Sequence, residues 1–235
     1  MIEIDTVTVR FGEVKPLDGL TARFTAPICG LIGPNGAGKT TLLNVISGFL
    51  TPREGEVRLA GRSLAGLTPL RRVKAGLRRS FQHELVVGEL TTRDNVLAMA
   101  DHVSPRGEAA TDTDRALAFC GLQSVANLPG RRLNLFQRRL TELAKTLVGS
   151  PRVILLDEPC AGLNDSETAG FRDRLQAVHG AFGAQVILID HDADLIASTC
   201  QETLVIDFGR RLALGPTAAV LADPEVRRAY LGTMA

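Results

Sequence analysis

An α/β fold is predicted, with a wound, mainly parallel sheet, an antiparallel β portion and a helical insertion, and three features of the sequence carry the prediction. The runs Ile28 to Ile32, Val153 to Leu156 and Val186 to Ile189 are continuously apolar, as strands covered on both faces read. Each is followed by helix-like sequence, and strands alternating with helices imply a parallel sheet. Residues from about 85 to 149 hold little strand pattern and several helical segments.

Apolar residues of the first stretch alternate twice (Ile2, Ile4; Leu20, Ala22, Phe24), with Gly12, Pro16 and Gly19 between the two sets. This predicts a hairpin-like antiparallel start with its break among those residues. The pattern after Ile32 predicts a helix ending at Gly48. In the helical part, Thr91 or Thr92 caps a helix through Ala100, Ala116 to Cys120 lies in a second, and Gln137 to Val148 forms a third. Ser104 to Thr113, polar, small and containing Pro and Gly, reads as an exposed loop or mobile linker. The chain is therefore expected to be one domain, residues 1–235, with an α/β core over 1–84 and 150–235 and helices over 85–149.

Composition narrows the function. The chain has 235 residues, 45% hydrophobic, enough for a substantial core. Lys and Arg number 27 against 26 Asp and Glu, so a net charge of +1 provides no overall field to recruit nucleic acid. Cys29, Cys120, Cys160 and Cys200 show no metal-ligand spacing and read as packing residues. No apolar run approaches the roughly 18 residues of a membrane-spanning helix, and the start, Met-Ile-Glu-Ile-Asp, has no signal-peptide pattern. Work at a membrane would need a partner to hold the chain there.

Gly33-Pro34-Asn35-Gly36-Ala37-Gly38-Lys39-Thr40 fits G-x-x-x-x-G-K-[ST] between a buried strand and a helix. Glycines at those positions let successive backbone N–H groups turn inward around phosphates, and the helix N-terminus adds partial positive charge. Lys39 is placed to neutralise β and γ phosphates, and the Thr40 hydroxyl to ligate Mg²⁺.

Asp157 and Glu158 end the apolar run Val153 to Leu156, at the strand edge where wound sheets bind ligands. Asp157 is the candidate support for Mg²⁺, and Glu158 the candidate group that orients and polarises an attacking water. Asp190-His191 follows the run ending at Ile189 in the same way, which would let His191 reach a γ phosphate. His83, His102 and His179 read as structural.

These elements, in this order, resemble the ATP-binding cassette family over about residues 2 to 232, which implies a P-loop NTPase sheet, an antiparallel β subdomain, a helical subdomain and hydrolysis of ATP with Mg²⁺. Residues Gly33 to Thr41 match the family's phosphate loop, and Phe11 matches its adenine-stacking aromatic. Gln82 matches the glutamine that senses Mg²⁺ and water, Asp157 and Glu158 the metal-supporting and catalytic carboxylates, and His191 the switch histidine. Ala161-Gly162-Leu163-Asn164-Asp165 matches the segment that contacts an opposite subunit.

Phe11-Gly12, Ala161 to Asn164, Asp190 to Asp194 and Ala229-Tyr230-Leu231-Gly232 are similar to ATPases of bacterial branched-chain amino acid importers, with urea importers and a lipopolysaccharide exporter sharing much of the pattern. The resemblance implies permease partners and a place on the cytoplasmic face of the membrane. A lipid or lipopolysaccharide exporter ATPase, a regulatory subunit of low turnover, and a soluble cassette ATPase of repair or translation are the alternatives. The last usually carries two cassettes or long coiled insertions, which 235 residues do not accommodate.

One motif departs from the family. Its Leu-Ser-Gly-Gly-Gln signature aligns with Leu133-Asn134-Leu135-Phe136-Gln137, so the serine is Asn134 and both glycines are lost. In the family this segment binds the γ phosphate held by the other subunit. Leu135 and Phe136 would obstruct that approach, although Asn134 can still cap the helix. A heterodimer with a second ATPase subunit of intact signature would retain one complete site, and it is expected over a homodimer.

Overall fold

The computed structural model describes residues 1–82 and 85–231; His83 and Gly232 lie outside the described residues. The alternating start forms an antiparallel hairpin of β1 (Ile2–Phe11) and β2 (Val14–Arg23), registered from Glu3↔Arg23 to Phe11↔Val14. The chain reverses at Gly12 and Glu13, whereas Pro16 and Gly19, expected between the strands, lie inside β2. Two features accommodate them. β2 is an edge strand, in the order β2-β1-β4-β5 completed by β4 (Glu54–Leu59) and β5 (Arg62–Ser63), and the ladder slips register beside both residues. Gly19, at φ +65°, donates its N–H to Thr8 Oγ1 (3.0 Å).

The main sheet contains β3 (Ile28–Ile32), β6 (Leu77–Arg79), β7 (Val153–Asp157), β8 (Gln185–Ile189), β9 (Glu202–Asp207) and β10 (Arg210–Pro216), in the order β10-β9-β3-β8-β7-β6. It is parallel except for β10. Strands β3, β7 and β8 are buried along their whole length, as their unbroken apolar runs require.

Helices α1 (Lys39–Ser47), α2 (Pro69–Lys74), α3 (Thr92–Val103), α4 (Ala109–Cys120), α5 (Leu135–Leu147), α6 (Asp165–Phe182), α7 (Ala193–Thr199) and α8 (Thr217–Ala222) complete the layers. Residues Pro224–Val226 and Arg227–Leu231 form a helical turn and a π-helical turn after them. Thr91 caps α3, its hydroxyl accepting from Asp94 N, and α1 ends at Gly48 in a left-handed cap.

The loop expected from Ser104 to Thr113 is present only over Ser104 to Glu108, where Pro105 to Glu108 are exposed; its second half is a correction, because α4 already begins at Ala109 and Thr113 is fully buried. Asp112 and Thr113 serve structure there rather than solvent. Asp112 accepts from Ser104 Oγ (2.6 Å) and Gly149 N (3.2 Å), and Thr113 Oγ1 donates to Ala109 O (2.7 Å).

The strand pleat divides the core. Ile154, Leu156, Val186 and Leu188 face a cluster with Val96, Leu143 and Phe171, while Val153, Leu155, Ile187 and Ile189 face Leu42, Ile46 and the antiparallel sheet. All four cysteines are buried in these clusters, and burial pushes the thiols of Cys120, Cys160 and Cys200 up to about 12. Buried Arg78 ties β6 to the end of α5 by donating to Val148 O (3.1 Å) and Gly149 O (3.2 Å). Among the described residues no helix is long and apolar enough to cross a membrane.

Candidate active site

Between β3 and α1 the chain threads a gap that only glycine fits at two points. A Cβ on Gly33 (φ +153°) would lie 2.1 Å from Ile206 O, and one on Gly38 (φ +106°) 2.2 Å from Pro16 O. Gly38 is also the N-cap of α1, and no side chain caps that terminus, which suits its N–H groups to an anion. Gly209 N donates to Ala37 O (3.0 Å) and braces the loop from the β9–β10 turn.

Lys39 Nζ donates to Gly33 O (2.5 Å) and Pro34 O (3.0 Å). Burial holds its ammonium below the usual lysine range, and the nearby Glu158 and Asp157 carboxylates oppose that shift. Lys39, Thr40, Thr41, Gln82, Asp157 and Glu158 line one cleft, which Asn35 and Gly36 also border.

The cleft's far wall is the end of β7. Asp157 is its last residue, and Glu158 then takes φ +49°, a left-handed conformation costly to a non-glycine residue. Its N–H is held by Ile189 O (2.8 Å), which carries the parallel ladder one step past the strand. Gln82 Nε2 donates to Glu158 Oε2 (3.1 Å), and the exposed His191 ring places Nδ1 3.7 Å from Glu158 Oε1. Residues 82, 158 and 191 are thus brought to one point. Asp190, buried beneath His191, has its carboxyl raised above the usual range chiefly by burial.

The donors suit a hard divalent cation. Among the described residues no cluster of three or more His, Cys, Asp or Glu is arranged to hold a metal, but the Thr40 hydroxyl and Asp157 carboxylate share the cleft. One or two oxygen ligands with the remainder from substrate phosphates is how Mg²⁺ is commonly held.

Phe11 stands apart from this group. It ends β1 and is 56% exposed, and of its hairpin Pro16 is what lines the cleft.

At the altered signature, Asn134 caps α5 in a reciprocal box: its Oδ1 accepts from Gln137 N (2.8 Å), and Gln137 Oε1 accepts from Asn134 N (3.0 Å). The helix N-terminus therefore uses part of its donor capacity on its own side chain. Leu135 leans toward Gly162, where a Cβ would lie 3.0 Å from Leu135 Cδ2, and Phe136 packs beneath the Arg174 guanidinium (5.9 Å).

Three residues beside the site escaped the sequence reading of function. Arg79 pairs with Asp157 (3.4 Å). Arg139 of α5 donates to Gln82 O (3.3 Å) and Ala161 O (3.1 Å). Tyr230 donates its hydroxyl to His191 O (2.7 Å). Arg79 and Arg139 sit in ordinary basic stretches, and Tyr230 carried only a subfamily pattern; no local signal marks such long-range partners.

Comparison with known proteins adds an independent line. A family profile described as ABC transporter matches residues 24–161, and one described as branched-chain amino acid ATP-binding cassette transporter matches residues 210–235. The chain is 31% identical to the high-affinity branched-chain amino acid transport ATP-binding protein BraF of Pseudomonas aeruginosa, over 99% of this chain and 98% of that one. It is 32% identical to the lipopolysaccharide export system ATP-binding protein LptB of Acidithiobacillus ferridurans, over 88% and 86% respectively. Its fold is similar to the ADP conformation of MJ1267, an ATP-binding cassette of an ABC transporter, with TM-score 0.87, 26% identity and coverage of 99% and 98%.

Proposed function

The chain belongs to the ABC transporter family, whose ATP-binding and ATP-hydrolysing subunits drive transport, and from that premise we propose that it serves an importer of branched-chain amino acids or a related small solute. The observation that carries hydrolysis is the meeting of the phosphate loop with Glu158 and Gln82 at one cleft, with His191 beside Glu158. The C-terminal match at residues 210–235 favours import over the lipopolysaccharide export of the shorter match.

Each residue then has a role. Loop N–H groups of residues 33–41 cradle the phosphates, and Lys39 leaves its loop carbonyls to neutralise the β and γ oxygens. Thr40, Gln82 and Asp157 would hold Mg²⁺, which would there neutralise phosphate charge. Glu158 orients and polarises the attacking water, Gln82 restrains that carboxylate, and His191 contacts the γ phosphate. Phe11 offers an exposed aromatic face to adenine.

An apolar groove of about 170 Å³ provides the membrane attachment. Phe49, Val73, Leu77, Phe81, Leu85 and Met99 line it, and Phe49 is 59% exposed. An apolar cleft of this kind accepts a segment of a permease, which would hold the subunit on the cytoplasmic face of the membrane.

The second ATPase subunit is a different cassette chain with an intact signature. Self-capping by Asn134 and the exposed side chain of Leu135 hinder α5 from receiving a phosphate across a dimer interface. One composite site remains, formed by this chain's loop, Glu158 and His191 with the partner's signature. Turnover should therefore rise when the second subunit is added to the purified chain and should depend on Glu158. Strongly cooperative hydrolysis by this chain alone, at a rate the second subunit does not alter, would sink the heterodimer. Isolation from native membranes, with mass spectrometry of the bound permease, separates import from export.

A further inference from the structure

Arg79 is the buried ion-pair partner of Asp157, and the roles assigned above do not use it. Its side chain is 7% exposed and that of Asp157 12%. The two edges and one face of its planar guanidinium meet three different elements. Nη2 lies 3.4 Å from Asp157 Oδ2 at the end of β7. Nη1 donates to Asn44 Oδ1 (2.8 Å) and Ser47 Oγ (3.3 Å) on α1, the helix that the phosphate loop opens. The face lies 4.8 Å over the Phe81 ring, a favourable cation–π placement.

Phe81 in turn meets Phe49 edge to face, with centroids 6.1 Å apart, and both rings are walls of the apolar groove. One residue further along the chain, Gln82 touches Glu158. A single rigid group thus stands between a solvent-open groove and the carboxylate assigned to the metal. Lysine could not reproduce this contact set, because a compact ammonium has neither two donor edges nor a flat face.

We propose that Arg79 is a positioning residue that couples the groove to metal binding: it orients the Asp157 carboxylate from behind, and the Phe49–Phe81 wall sets its own position. Occupation of the groove therefore alters the Mg²⁺ requirement for nucleotide binding. The proposal rests on the reading of Asp157 as the metal support and of the groove as the permease seat.

The test is titration of the full-length chain with a fluorescent ATP analogue, in EDTA and across a Mg²⁺ series, alone and in the assembled transporter. Groups that orient a metal's ligands typically cost about 10–100-fold in metal affinity when lost. Arg79→Gln should raise the Mg²⁺ midpoint by about that factor while leaving the EDTA affinity within about twofold. Arg79→Lys should restore part of the loss. Phe81→Leu, which removes the aromatic face and no charge, should shift the midpoint in the same direction by a smaller factor. The wild-type midpoint should differ between the isolated chain and the assembly, and Arg79→Gln should erase that difference.

Asp157→Asn is the control that separates the two layers. If it leaves the Mg²⁺ midpoint unchanged, the assignment of Asp157 and the proposal fall together. If it moves the midpoint and Arg79→Gln does not, the proposal alone is overturned. Equal loss of EDTA affinity in Arg79→Gln and Arg79→Lys would make Arg79 a merely structural residue and overturn it as well.

Discussion

The phenol of Tyr230 donates its proton to the backbone carbonyl of His191 across 2.7 Å, pinning the loop after β8 to the π-helical turn at the end of the described chain. Burial, aided by the charges of Asp190, Asp192 and Glu158, pushes the phenol up to about 12. Because the folded-state value lies above the ordinary 10, its contribution to stability is complete below about pH 10 and disappears as pH rises toward about 12.

Tyr230→Phe deletes that hydrogen bond and little else. A neutral hydrogen bond is worth about 1 kcal/mol net, so the maximal ATPase rate should fall about threefold to tenfold through a less restrained His191. The KM for ATP should stay constant. A changed KM with an unchanged rate in steady-state kinetics would place the effect at nucleotide binding instead.

Asp190→Asn should stabilise the subunit at neutral pH. The buried carboxyl is raised above its ordinary value of 3.8, so its charged form is disfavoured in the fold, and stability is lost as pH rises through the folded value. Asparagine keeps an oxygen for Asp192 N, which now donates to Asp190 Oδ1 (3.0 Å). Thermal melts across pH should show the gain at pH 7.5 shrinking as pH falls toward the ordinary carboxylate value. A gain of the same size at every pH would point to packing rather than charge.

Glu158→Gln should retain ATP binding and lose turnover by about 100-fold or more, the usual effect of removing a catalytic base. Equilibrium binding beside phosphate release measures both. A loss of binding equal to the loss of turnover would instead make Glu158 a loop-supporting residue.

Restoring Ser-Gly-Gly at residues 134–136 should give the chain ATPase activity of its own, cooperative in ATP. Two glycines in the first turn of α5 should also cost up to about 1 kcal/mol each, lowering the melting temperature by a few degrees. No gain in the activity of the isolated chain would argue that the side chains of Leu135 and Phe136 are not what limits it.

Phe49→Asp adds charge to the exposed rim of the apolar groove. Copurification with the permease should be lost while ATP binding in EDTA persists. Retention of the permease would move the docking surface elsewhere.

Much of this molecule is legible locally. The runs at Ile28, Val153 and Val186 declare covered strands because an unbroken apolar stretch must be buried on both faces. Gly33 to Thr40 declares itself because the backbone path and the charge it serves lie in eight consecutive residues. Local polarity misled at residues 109–113, where Asp112 accepts from Ser104 after α3 and from Gly149 after α5, and Thr113 donates within the first turn of α4. Pro16 and Gly19 misled likewise, because an edge strand tolerates breaks that a central one would not.

The sequence by itself determined the strand–loop–helix that receives phosphate, the carboxylates Asp157 and Glu158 at a strand end, and the lost glycines of the signature, since each is a property of neighbouring residues. Only the tertiary structure decided that Gln82 meets Glu158, that Arg79 backs Asp157 against Phe81, and that Tyr230 holds His191. Gln82–Glu158, Arg79–Asp157 and Tyr230–His191 join residues far apart in the chain, and the first two take their geometry from the pairing of β6 with β7. A hydrogen bond depends on ångström-scale placement, which sheet register and helix packing set and local composition does not encode.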